Sequence, residues 1–148
     1  MKKSIFVSFF IMIFCYSNAQ QSGDSIAVRK VLEKDAVAWR AADAKGQAAC
    51  WFIRPYSRIL VSLADGTIID IPPAKMMDTT AHKMGNGGAA VMSNYKQNIS
   101  GNNAWVSHNE ESTDKDGNKT YSYEIRLLEK INNEWKLVGQ SIHLYHPK

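Results

Sequence analysis

Few residues of this 148-residue chain are placed to do chemistry, and the first is a single carboxylate. Wound as a helix, the segment from Ile26 to about Ala44 puts Val28, Val31, Leu32, Ala38, Trp39 and Ala42 on one side. Asp35 falls in the middle of that apolar side. A carboxylate there is costly to bury unless it is paired or faces a hollow. Protonated, it could donate a hydrogen bond; ionised, it could act as a base. The structural alternative is an ion pair with Arg126 or a bond to a backbone group inside the core. His108 and Glu110 alternate along a strand with Ala104 and Val106, and a histidine beside a carboxylate suits acid–base work near neutral pH. A solvated pair close to a loop is the plainer reading. Glu124 and Arg126 stand two residues apart, on one strand face, with Tyr121, Tyr123 and Ile125 on the other. An arginine with carboxylates such as Glu124 and Asp35 near it could hold an anionic group in a fork, or could form a cross-strand ion pair. His143 alternates with Trp135, Leu137, Gly139 and Ser141, which would carry it into the same hollow. Asp35, His108 and His143 are therefore the candidate catalytic groups.

Other chemistries find no residues. His146 lies three positions beyond His143, on the opposite strand face, and His82 sits on a short helix away from both. With no H-x-H, H-x-x-x-H or HExxH pattern, neither a metal nor a cofactor is expected. Gly85-Asn86-Gly87-Gly88 precedes no helix, so it reads as a helix stop and not as a phosphate cradle. Cys50, between Ala49 and Trp51, reads as a buried thiol. Trp39, Trp51, Phe52, Trp105 and Trp135 read mainly as core, and the first four are also candidate walls of an apolar pocket.

The elements that must position these groups are legible. The first helix has Arg29, Lys30, Glu33, Lys34 and Arg40 on its polar side and an N-cap at Asp24 or Ser25. Gly46 interrupts it, a short second helix carries Gln47 to Phe52, and Pro55 stops that piece. Two β-rich runs, Arg58 to Leu63 and Thr67 to Ile71, flank Asp65-Gly66 and predict a hairpin. Ala74 to Met84 can form a third helix. Four strands follow, over Ala90–Ile99, Ala104–Ser112, Lys119–Ile131 and Glu134–Tyr145, separated by Gly, Asn and Asp turns. Helices first and an antiparallel meander after define an α+β domain with its helices on one sheet face.

The N-terminus reads as a secretory signal over residues 1–19. Lys2 and Lys3 precede an apolar run from Ser4 to Tyr16, too short for a span of roughly 20 residues. Ser17-Asn18-Ala19 offers a cleavage site after Ala19. Residues 20–148 then form one domain, exported to the periplasm or secreted. An uncleaved anchor, or a lipoprotein acylated at Cys15 behind the bulky Phe14, are the alternatives. Losing Lys2 and Lys3 takes the formal charge from +4 to +2, with the bases scattered, so no nucleic-acid partner is expected, nor a membrane once the signal is gone.

The chain also resembles the nuclear-transport-factor-2-like superfamily, in its SnoaL-like branch of unknown function. The resemblance rests on Ala41-Ala42-Asp43, Cys50-Trp51-Phe52 and Asn103-Ala104-Trp105-Val106. It rests above all on Glu124-Ile125-Arg126-Leu127-Leu128-Glu129-Lys130 with Asn133-Glu134-Trp135-Lys136-Leu137-Val138, and it covers nearly all of residues 24–146. It implies a cone, with helices packed on a strongly curved antiparallel sheet, and a pocket at its open end. The expected lining is Asp35, Trp39, Trp51, Phe52 and Trp105, with His108, Glu124, Arg126 and His143. The expected partner is a small, partly apolar molecule. The alternatives are an acid–base isomerase, cyclase or dehydratase, and a non-catalytic homodimeric module. Ketosteroid-isomerase-like members carry an oxyanion-holding tyrosine where Asp35 stands and a base where Leu60, Val61 and Ser62 stand, so that chemistry is not expected.

Overall fold

The computed structural model describes residues 23–76, 84–85 and 87–147. The signal segment, Cys15, His82, Asn86 and residues 77–83 of the expected third helix lie outside the described residues; Met84, the expected end of that helix, is not helical.

Helix α1 covers 23–40 and α2 covers Ala44–Ala48. Strands β1 (Arg58–Ser62) and β2 (Ile68–Ile71) follow, then the short α3 (Pro73–Met76). The remaining strands are β3 (Ala89–Ser100), β4 (Asn103–Thr113), β5 (Lys119–Ile131) and β6 (Glu134–Tyr145). The fold is α+β, as expected, and the strand boundaries of the meander fall within a residue of those read from the sequence.

Three local expectations need correction. Asp24 and Ser25 lie inside α1 and not at the position before it. Asp24 instead accepts hydrogen bonds from Lys130 Nζ (2.7 Å) and Trp135 Nε1 (3.0 Å), tying the helix to the β5–β6 end. Gly46 does not interrupt a helix but sits inside α2, where Asp43 caps it by accepting from the Gly46 amide at 2.8 Å. A Cβ at this glycine would lie 2.2 Å from that carboxylate, so the cap and the glycine go together. Arg40 is not on a solvated face; it is buried.

The strand order is β2-β1-β6-β5-β4-β3. All neighbours are antiparallel except β1 and β6, which run parallel from Arg58↔Gly139 to Ser62↔His143. The sheet is thus not wholly antiparallel. The β1–β2 hairpin docks on the edge of the last strand, a contact between segments far apart in the chain. A parallel bridge, Trp51↔Leu137, extends this pairing back to the segment after α2. The hairpin itself turns at Asp65-Gly66, with Gly66 at φ 89° and Asp65 Oδ1 accepting from the Thr67 amide. The β5–β6 turn places Asn132 and Asn133 at φ 50° and 66°, the left-handed values that a two-residue hairpin turn requires and asparagine tolerates.

One irregularity decides the site. Leu127 pairs with Gly139 but Leu128 pairs with Leu137, so Val138 is an extra residue on β6. Such a bulge reverses the in–out alternation beyond it. Trp135 and Leu137 point inward before the bulge; Gln140, Ile142 and Leu144 do so after it.

Packing is graded along the cone. Val28 and Leu32 of α1, Ala104 and Val106 of β4, Leu128 of β5, and Trp135 and Leu137 of β6 form a closed apolar core with Cys50. Leu32, Leu128 and Leu137 are at most 1% exposed, each contributing about 1.5–3 kcal/mol by burial. Toward the other end of the same elements the inward side chains turn polar, and then the space between helix and sheet opens.

Candidate functional site

The hollow beyond the core has a volume of about 620 Å³. Its walls are mainly apolar: Trp39 of α1, Trp51 after α2, Val61 of β1, and Ile142 and Leu144 of β6. Its floor is a buried layer of charge supplied by three elements. Asp35 comes from α1, Glu110 from β4, and Glu124 and Arg126 from β5, with Arg40 of α1 and Gln140 of β6 beside them. Alternation on β4 and β5 brings these together, because Glu110 pairs with Ser122 and His108 with Glu124 in register.

Arg126 is the hub. Its Nε donates to Glu124 Oε2 (2.9 Å) and one terminal nitrogen makes a second, short bond to the same oxygen. Its other terminal nitrogen donates to Gln140 Oε1 (2.7 Å) and to Asp35 Oδ2 (3.2 Å). Burial works against the guanidinium's charge, yet the carboxylates of Glu124, Asp35 and Glu110 carry its pKa above the ordinary value. Asp35 also accepts from Trp51 Nε1 at 2.8 Å. Burial nevertheless raises the Asp35 pKa, outweighing the Arg126 charge and both hydrogen bonds. Asp35 thus both pairs with Arg126 and lines the hollow. The anion fork is not available, since Arg126 is already committed to three acceptors.

A second ion pair flanks the first. Arg40 donates to Glu110 Oε1 (2.5 Å), to Ser112 Oγ (2.8 Å) and to the Ala36 carbonyl (3.0 Å). Glu110 is only 7% exposed, and its Oε2 accepts no hydrogen bond. Burial, and then the neighbouring Glu124 charge, raise its pKa.

The other expected residues divide. Trp39 and Trp51 line the hollow. His108 does not reach its mouth and is not a solvated residue either. It is fully buried beneath the floor, its Nε2 3.9 Å from Glu124 Oε2 and its ring 5.2 Å from that of Tyr95. Burial and the Arg126 charge lower its pKa against the pull of Glu124, so the ring is neutral at pH 7. His143 is turned out by the Val138 bulge; it is exposed and its Nε2 lies 2.9 Å from Ser141 Oγ. Phe52 is 38% exposed beneath the Arg54 guanidinium, because Trp51 takes the inward position in that extended segment and its neighbour must face out. Trp105, 40% exposed, shares the outer sheet face with Leu127, since Ala104 and Val106 take the inward positions.

Arg40 and Gln140 were missing from the expected site. The spacing of Arg40 from Asp35 points off the apolar side, and only its long side chain, near the end of α1, reaches round to Glu110. Gln140 is placed by the bulge, which no residue type announces. Glu110 was signalled by its alternation with His108. Cys50 is buried, as expected, and burial raises its thiol pKa. Among the described residues no group of His, Cys, Asp and Glu is arranged to hold a metal.

No family model matches the sequence, and no curated protein sequence does. Solved structures match in fold. An NTF2-like protein with a cystatin-like fold from Novosphingobium aromaticivorans superposes with TM-score 0.65 at 12% identity, over 90% of each chain. An NTF2-like protein of unknown function from Shewanella baltica gives 0.60 at 18% identity, over 86% of this chain and 97% of that one. An NTF2-like protein from Cytophaga hutchinsonii gives 0.59 at 16%, over 79% and 94%. The chain has the NTF2-like fold, a cone of helices on a curved, mostly antiparallel sheet. At these identities the likeness speaks for the fold alone, and a fold of this breadth does not choose a function.

Proposed function

We propose that this domain binds a small, largely apolar molecule in the cone, with no reaction assigned to it, and that it does so outside the cytoplasm after removal of residues 1–19. One observation carries the reading: a hollow of about 620 Å³ with apolar walls closes on a floor of buried charge. That volume lies within the roughly 300–1,000 Å³ usual for small-molecule sites, and a few convergent polar groups on an apolar wall are their common form. A filled core would have needed none of these charges, each of which is costly to desolvate.

Native mass spectrometry of protein isolated from its own host tests the reading directly. The expected spectrum shows a chain beginning at Gln20 and carrying a retained small molecule, released on denaturation. Asp35→Asn should weaken retention of the molecule, whatever it does to melting. A variant that melts lower but retains the molecule as well as the parent would make Asp35 structural only.

Acid–base turnover is the second reading, supported by two carboxyls, Asp35 and Glu110, held above their ordinary pKa on the wall of a hollow. It requires Asp35→Asn to abolish turnover while binding persists. The exposed outer-face side chains Val91, Trp105, Tyr123 and Leu127 support a homodimer, whose mass the same native spectrum reads.

A further inference from the structure

The floor of the hollow is unbalanced. Three carboxylates, Asp35, Glu110 and Glu124, face two guanidinium groups, Arg40 and Arg126. His108 beneath them is neutral at pH 7. Among the described lining residues there is no lysine to supply the missing positive charge. The shortfall has a location. Arg126 is spent on Glu124, Asp35 and Gln140, and Arg40 engages only Oε1 of Glu110, leaving Oε2 buried without a hydrogen-bond donor. A buried carboxylate oxygen without a donor is costly. Two indoles, Trp39 and Trp51, line the same space, and aromatic rings attract cations, as Trp39 already does the Arg40 guanidinium 5.8 Å from its centre.

We propose that the molecule bound here is an organic amine, an apolar body against Trp39, Trp51 and Ile142 with its ammonium group turned to the carboxylates of Asp35, Glu110 and Glu124. This rests on the ligand-binding reading above and narrows it to a chemical class. One ammonium brings the floor to neutrality and offers a donor to Glu110. An anionic ligand does the opposite: a fourth carboxylate would add to the negative excess and meet an Arg126 with four of its five N–H donors taken.

The test uses three probes of one shape, phenethylamine, phenethyl alcohol and phenylacetate, titrated by calorimetry into the protein. The amine should bind at least about tenfold tighter than the alcohol, a difference of about 1.4 kcal/mol, with phenylacetate weakest. Glu110→Gln should remove most of the amine's advantage and leave the alcohol within about threefold of its parent value. A wild-type measurement guards against a variant that does not fold. The groups facing Glu110 are Arg40 from α1, Glu124 and Arg126 from β5, Tyr95 from β3, and His108 on its own strand. As pH falls from about 8 to about 5, protonation of the raised carboxyls should weaken the amine severalfold and leave the alcohol unchanged. Alcohol or phenylacetate binding as tightly as the amine would overturn the amine assignment and leave the apolar site standing. Binding by none of the three would overturn both.

Discussion

Arg126→Met removes the one cation shared by two carboxylates while nearly conserving side-chain volume. Asp35 would keep only the Trp51 donor, and Glu124 only the hydroxyl of Ser122 at 2.9 Å. Arg126, Asp35 and Glu124 are all 4–5% exposed in their side chains, so water from the hollow replaces the lost partner only in small part. Breaking a buried pair by deleting one member costs about 3–5 kcal/mol. For a domain of this size that is a drop in Tm of roughly 10–20 °C. A stability of about 5–15 kcal/mol is ordinary, so the variant remains measurable. Urea titration followed by tryptophan emission, with Trp51 touching the network, reads the change.

The deficit should also depend on pH, and its sign follows from Asp35. Its folded pKa is already raised by burial, and losing Arg126 raises it further. A raised carboxyl contributes stability that is fully present below its unfolded value of about 3.9 and is lost as pH rises through the folded value. The variant should therefore lie furthest below the parent at about pH 8 and approach it toward about pH 4. A loss under about 1 kcal/mol at pH 8, or one that does not change with pH, would mean that these carboxylates reach water, and the buried-floor reasoning would fail.

Three further outcomes are expected. His108 titrates below its ordinary 6.5 in the folded chain, so its contribution to stability is present above that value and declines as pH falls toward the folded pKa. His108→Gln should flatten that part of the pH–stability curve, and an unchanged slope would place the pH sensitivity elsewhere. Leu137→Ala, at a position 0% exposed in the core, should cost about 2–5 kcal/mol by urea titration without changing the slope of the transition. Gly88→Ala should cost at least about 2 kcal/mol, because Gly88 sits at φ 84° and an added Cβ would fall 1.8 Å from the Thr113 carbonyl oxygen, a backbone atom that cannot swing away. Normal melting of that variant would refute the close approach.

The amino-acid order alone determined the element plan, because periodicity and turn chemistry are local. Alternation and paired asparagines set the meander strands to within a residue. The helical period put Asp35 on the apolar side of α1, and the two-residue spacing put Glu124 and Arg126 on one face; both are where the structure has them. Tertiary structure alone decided which of these groups meet. The parallel docking of β1 on β6 joins segments about eighty residues apart, from Arg58↔Gly139 to Ser62↔His143, and no local pattern encodes it. A single extra residue, Val138, exchanged the two faces of β6, putting Gln140 into the hollow and turning His143 out. Arg40 reads as a surface residue on the helical wheel and is buried only because Glu110 and Ser112 arrive from the sheet to receive it. Periodicity assigns a side chain to a face, whereas its surroundings depend on the chain segment opposite, and that is settled only when the sheet closes around the helix.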